Sequence, residues 1–311
     1  MIWPIAMHPS NVMRRALVAR VQAVFNDRTR GEAPAIRSAN ALYDPDSVIW
    51  RVHGDVTTMM VGGVTALLLQ MLHPAALAGV WDHSSFRNDM LGRLRRTARF
   101  IAVTTFGEEA EAQAATDRVC HVHQHVTGVL ADGTTYSASD PQLLAWVHVC
   151  EAIGFLDAWI HFGEPTMSQA DQDAYFAQAG LVARMLGAAP VPETRAEAEA
   201  LIATFRPQLV ADPRTQEVAR MILSQSAPSM AFAPVQAMLM QSAVDIMPDW
   251  AKDMHGLDLP RITAPLIRKG TMTIAQILRW AFAQQRQPPD TSAHTASMPA
   301  IGQRSSSPVR L

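Results

Sequence analysis

The sequence predicts an all-α fold in a single helical domain, and three observations carry that expectation. Apolar residues recur at helical spacing through most of the chain, while no segment alternates with period two for more than a few residues. The periodic stretches stop at Pro, Gly and Asp-Pro signals. Hydrophobic residues make up 49% of the 311 and charged residues only 17%, which calls for a large interior. A core of about 250 residues with loose ends fits one domain of this kind.

The ends read as tails, residues 1–9 and 286–311. The second carries Gln287-Pro288-Pro289-Asp290 and Ser305-Ser306-Ser307-Pro308, with little to bury. Between them, residues 10–285 form the predicted domain. Helices are expected at 11–25, 55–72, 87–106, 108–129, 140–162, 168–187, 194–206, 214–226, 233–247 and 273–285. The second contains the uncharged run Val56 to Leu72, interrupted by Gly62-Gly63. It falls short of the roughly 20 apolar residues of a membrane span and reads as a buried core helix. The fourth opens on Glu108, Glu109 and Glu111, acids that favour a helix N-terminus. Ala131 to Tyr136 centres on an Asp-Gly turn with room for a short hairpin. Asp140-Pro141 then places an N-cap before a proline in the first turn of the fifth helix.

Composition excludes several classes of function. The 26 basic and 28 acidic side chains give a net charge of −2, so nothing global draws the chain to nucleic acid or an anionic membrane. Cys120 and Cys150 cannot build a disulfide framework, and a reducing compartment, the cytoplasm, is the expectation. No secretory leader is visible in Met1–Met7. Seventeen methionines leave room for an exposed apolar mouth and peripheral contact with lipid.

Histidine and arginine hold the chemistry. Eight of eleven histidines lie between His53 and His161, three of them at His121, His123 and His125. Val119, Val122 and Val126 form an apolar stripe, and His123 and His125 flank it on opposite edges, so periodicity leaves both open. His121 and His125, four apart, have the spacing of a helical metal pair, though no second pair supports a di-metal site. Arg93, Arg96 and Thr97 share one helical face, on which guanidinium groups and a hydroxyl could orient a small polar ligand. His148 shares an apolar face with Leu144, where a core histidine bonded to a partner is the commonest role.

These residues stand in an ordered series that resembles the family of rubber oxygenases (latex-clearing proteins) and the mycophenolic-acid-pathway oxygenase MpaB. The motifs are Arg51-Val52-His53-Gly54-Asp55, Ala66 to Pro74, Gly79-Val80 with Asp82-His83-Ser84, and Gly92 to Thr97. Phe106-Gly107, His123 to Gly128 and Gly133 to His148 complete the series, which runs to about Gly187. The resemblance implies a globin-like helical core with extra helices that holds haem b, and an oxygenase that uses dioxygen to cleave an isoprenoid double bond. Matching the pattern His-x-x-Val-x-Gly, it makes His123 the iron ligand, with His148 and Arg93 as further cofactor contacts. Arg93, Arg96 and Thr97 match the distal polar residues, which would act on dioxygen. Where the rubber oxygenases have a lysine, this chain has Arg96, a poor iron ligand. Cys150 replaces a threonine of many relatives. The implied substrate is small and apolar, without a polar handle, and Met59, Met60, Met71 and Met90 are candidate lining residues, with core packing the commoner role for each. A non-catalytic haem protein (sensor, carrier or electron-transfer module) and a metal-free binder of apolar ligands are the competing readings.

Overall fold

A computed structural model describes residues 9–26, 34–227, 229–257 and 263–283. The expected tails therefore fall almost wholly outside the described residues. Those residues form thirteen α-helices and one two-stranded hairpin, an all-α single domain. The frame is a crossing of α3 (Val56–Gln70) and α7 (Pro141–Phe162), both apolar on nearly every face and buried. Their closest approach is built from two glycines. A Cβ on Gly62 would lie 2.5 Å from the Gly154 carbonyl oxygen, and one on Gly154 would lie 2.7 Å from that of Gly62. Only hydrogen fits on either side. Asp55 caps α3 by accepting from Thr58 N at 3.0 Å, and Asp140 caps α7 by accepting from Gln142 N at 2.8 Å. α7 is the one helix among the described residues long and apolar enough to cross a membrane, and most of it is buried in the core.

Around this crossing stand the helices that shape the site. α2 (Val48–His53) leads into α3. α4 (Pro74–His83) follows α3 after a bend of 104°. α5 (Met90–Phe106) and α6 (Glu109–His123) form one antiparallel hairpin, while α8 (Gln169–Met185) folds back along α7. α9 (Arg195–Phe205), α10 (Pro213–Leu223), α11 (Ala233–Asp245), α12 (Asp249–His255) and α13 (Ala264–Phe282) complete the shell. α11 and α13 back onto α3, where Thr65 Oγ1 donates to the Ala243 carbonyl at 2.9 Å and Ser242 meets Thr271 at 2.6 Å. α13 is tied in by Arg279, whose Nε lies 2.6 Å from the buried Asp55 carboxylate and whose Nη2 donates to the Phe162 carbonyl at 2.7 Å. α1 (Pro9–Phe25) packs on α13 and α5, its last carbonyls accepting from Arg95.

Two expectations need correction. The helix expected over 108–129 ends at His123, because Thr127–Val129 pairs as β1 with β2 (Thr135–Ser137) around the Asp132-Gly133 turn. The last helix begins at Ala264 rather than 273. Pro265 reads as a stop but sits in the first turn, where its missing N–H costs nothing. The short helices α2, α4 and α12 carry too few residues for a periodic signal.

Candidate functional site

The α5–α6 and α7–α8 hairpins are each closely packed internally but have little backbone contact with one another. Between them lies a cavity of ≈ 760 Å³, within the range of about 300–1,000 Å³ typical of ligand and cofactor sites. Helical spacing builds its walls. From α7 come Leu144, Val147, His148, Glu151, Ala152 and Phe155, an i, i+3, i+4 stripe about 16 Å long. From α5 come Arg93, Arg96, Thr97, Phe100, Ile101 and Thr104, and α6 adds Arg118, Val119, Val122 and His123. Tyr175 and Val182 of α8, with His53 of α2, close the remaining side.

All five residues singled out from the sequence, Arg93, Arg96, Thr97, His123 and His148, thus face one chamber. The two histidines reach it from different helices, α6 and α7. His123 Nδ1 and His148 Nε2 are both buried without a hydrogen-bond partner among the described residues. The partner expected for a core His148 is not there. Nor has His123 the acceptor on its second nitrogen that usually orients an iron-bound imidazole. An unsatisfied buried ring nitrogen costs about 1–3 kcal/mol, so the two in this chamber are open positions for a group that the described residues do not supply. Burial lowers the pKa of both, with Arg93 adding to the effect on His123 and Arg184 to that on His148, which falls to about 4. Both rings are therefore neutral near pH 7, the form that binds metal.

Arg93 and Arg96 differ in setting. Arg96 lies at the mouth, its side chain 54% exposed, and is 3.4 Å from Asp89, the N-cap of α5. Arg93 is half-buried and forms no ion pair among the described residues. Its pKa is lowered by burial and then by Arg96. A desolvated guanidinium beside a second cation and a neutral imidazole is a ready partner for an anionic group such as a carboxylate. Two unpartnered imidazoles, an unpaired arginine and apolar walls suit a porphyrin with its acidic side chains.

His125 drops out as a ligand. It lies beyond the end of α6, exposed, with Nδ1 bonded to the His121 carbonyl at 2.8 Å. The His121 and His125 rings are 4.9 Å apart on the surface, and no cluster of three or more metal-binding side chains occurs among the described residues. The methionines take the packing role. Met71 and Met90 pack with Leu94 in a small void behind Arg93, and Met59 and Met60 pack against the core. Valine, leucine, alanine and phenylalanine line the chamber instead.

Several motifs prove structural. Val126 N donates to the His123 carbonyl at 3.1 Å, and a Cβ on Gly128 would strike Tyr136 Oη at 2.6 Å. Tyr136 in turn bonds Asp82 of α4 at 3.2 Å. The segment after His123 is thereby pinned, fixing the end of α6. His73 caps α4 and packs near Trp146 and Phe205. Arg51 pairs with Glu164 and Asp171. His53 bridges Thr105 Oγ1 at 2.8 Å and Tyr175 Oη at 3.1 Å. Sequence reasoning missed Glu151, although one carboxylate in the otherwise uncharged run Pro141–Leu156 was a visible signal.

An all-helical protein with an apolar chamber between two hairpins, and neutral imidazoles in its walls, belongs to the class that houses an apolar ligand or prosthetic group. The chain belongs to the family described as ER-bound oxygenase mpaB/B'/Rubber oxygenase, catalytic domain, which it matches over residues 50–280. It is thus, at that level, an oxygenase-type catalytic domain. The match extends past Gly187 through α9–α12 into α13, well beyond the motifs that carried the resemblance. No curated protein and no solved structure matches the chain.

Proposed function

We propose that this chain is a haem b-dependent oxygenase that uses dioxygen on an apolar, isoprenoid-type substrate. The observation that carries the reading is the pair of buried, unpartnered imidazole nitrogens, His123 Nδ1 and His148 Nε2, in the walls of one apolar cavity. When bound, haem supplies the iron centre that activates dioxygen for attack on a carbon–carbon double bond.

The chain's own residues bind, orient and exclude water. His123, neutral at physiological pH, is the iron ligand, held by the Val126–Gly128 segment that follows it. His148 holds the cofactor from the α7 wall, and Arg93 offers its unpaired charge to a propionate. Arg96 and Thr97 bring a cation and a hydroxyl to the end of the chamber where dioxygen and substrate enter. The aliphatic stripes of α5, α6 and α7 desolvate an apolar substrate at roughly 25 cal/mol per Å² buried. Free Cys120 and Cys150 suit a reducing compartment.

An absorption spectrum of the purified chain with a pyridine haemochrome assay tests the proposal. A red protein whose Soret band disappears in His123→Ala is the expected result. Colourless protein that takes up no haem on reconstitution refutes it. Oxygen uptake with terpenoid alkenes, lost in Arg96→Ala or Thr97→Ala while haem is retained, separates an oxygenase from a passive haem carrier.

A further inference from the structure

Glu151 sits in the cavity wall one turn beyond His148, and neither the family resemblance nor the haem reading uses it. Among the described residues its side chain makes one hydrogen bond, with Gln70, whose Nε2 lies 3.4 Å from Oε1 while also donating to the Val147 carbonyl at 3.2 Å. The second carboxyl oxygen has no partner among the described residues, nor is it among the fully enclosed unsatisfied atoms, so it fronts the cavity. Neighbouring polar groups are already committed, His53 to Thr105 and Tyr175.

We infer that Glu151 is the polar anchor of the substrate, its carboxyl group donating a hydrogen bond to a carbonyl oxygen on an otherwise apolar isoprenoid chain. Gln70 occupies the accepting oxygen and leaves the O–H as a donor with no protein acceptor, so the ligand must bring one. A ketone or aldehyde oxygen does so without carrying a charge into the apolar wall. An anionic ligand is repelled once the carboxyl ionises, and a bare hydrocarbon leaves the O–H unsatisfied. The substrate class is therefore an oxygenated isoprenoid rather than the hydrocarbon expected from the family resemblance. This inference rests on reading the cavity as the substrate site and not on haem being present.

Among the described residues no group beside Glu151 supplies a counter-charge, and the arginines that share the cavity, Arg93, Arg96, Arg99 and Arg118, stand on the α5–α6 wall and do not act on its carboxyl. The groups beside it are His148 and Cys150 on α7, Tyr175 on α8 and His53 on α2, with Tyr43 in the segment before α2. Burial holds His53 and His148 neutral, at about 3 and about 4, and raises Cys150, Tyr175 and Tyr43. Arg184 on α8 is exposed, pairs with Glu193 at 3.1 Å and acts on His148. Burial accordingly raises the Glu151 carboxyl to about 7, with the Gln70 bond opposing.

Calorimetric titration of the full-length protein with geranylacetone, and with the terpene hydrocarbon that lacks its carbonyl, tests this at about pH 6 and about pH 8.5. The wild type is expected to favour the ketone by about tenfold at the lower pH and to lose most of that margin at the higher one. Glu151→Gln retains an N–H donor and keeps the preference at both pH values. Glu151→Leu abolishes it while still binding the hydrocarbon. A ketone preference that survives in Glu151→Leu, or is absent from the wild type, overturns the inference. Both titrations are run with and without added haem. Ketone preference in protein that takes up no haem refutes the cofactor proposal alone, and haem uptake without ketone preference refutes the anchor alone.

Discussion

Replacing Arg279 with methionine is expected to cost the fold about 3–5 kcal/mol. The Asp55 side chain is 2% exposed and that of Arg279 24%, with Nε and Oδ2 2.6 Å apart, so the pair is shielded from water. The same guanidinium donates to the last turn of α7 through the Phe162 carbonyl and lies 5.7 Å from the Trp159 ring centroid. Methionine fills much of the volume but withdraws the cation from a buried carboxylate that must still cap α3. At about 2 °C per kcal/mol for a chain of this size, the melting temperature falls by about 6–10 °C. Asp55→Asn preserves an acceptor for Thr58 N and leaves Arg279 its carbonyl contact, so it costs less, about 1–2 kcal/mol. The double variant should lie close to Asp55→Asn alone, because the buried charge that made the arginine necessary is gone. Urea denaturation of the four proteins measures this cycle. An Arg279→Met variant within about 0.5 kcal/mol of wild type, or simple additivity in the double variant, refutes a desolvated pair as the clasp between α3, α7 and α13.

The cavity groups impose two opposed pH dependences. His148, lowered to about 4, binds protons more readily unfolded than folded, so its contribution is present above about 6.5 and is lost as pH falls through about 4. Glu151, raised to about 7, does the reverse, its contribution being present below about 4.5 and lost as pH rises through about 7. In urea titrations across that range, Glu151→Gln is expected to gain stability relative to wild type between about pH 4.5 and 7, and a pH-independent difference would contradict a neutral buried carboxyl. Gly62→Ala should cost about 3 kcal/mol or more, because its Cβ meets backbone rather than a movable side chain. Thermal unfolding at the wild-type temperature would show that the α3–α7 crossing can relax.

Much of this architecture was legible in the residues. Asp140-Pro141 marked the start of α7 because a capping side chain and a proline in the first turn leave a local signature. The shared face of Arg93, Arg96 and Thr97 followed from helical spacing alone. His123 was harder, since the stripe that flanked it with His125 presumed a helix reaching residue 129, and the hairpin that ends the helix is fixed by a distant contact of Tyr136 with Asp82. Glu151 escaped notice because its significance lies in what fails to surround it. The absence of a cation acting on it among the described residues and the presence of Gln70, 81 positions earlier, are properties of packing. Which apolar residues line the chamber was hidden for a similar reason, as apolar character does not distinguish the wall of a void from the filled space behind it.

The interlocked glycines of α3 and α7 bear on how such a chamber could change its occupant. With two backbones in mutual contact, α3 fixes how closely α7 can approach, and so where the row from Leu144 to Phe155 stands. The opposite leaf, α5 with α6, is not clamped in that way. Remodelling for a longer or bulkier guest, whether by natural drift or in the laboratory, has its freedom at positions such as Phe100, Val119 and Val122.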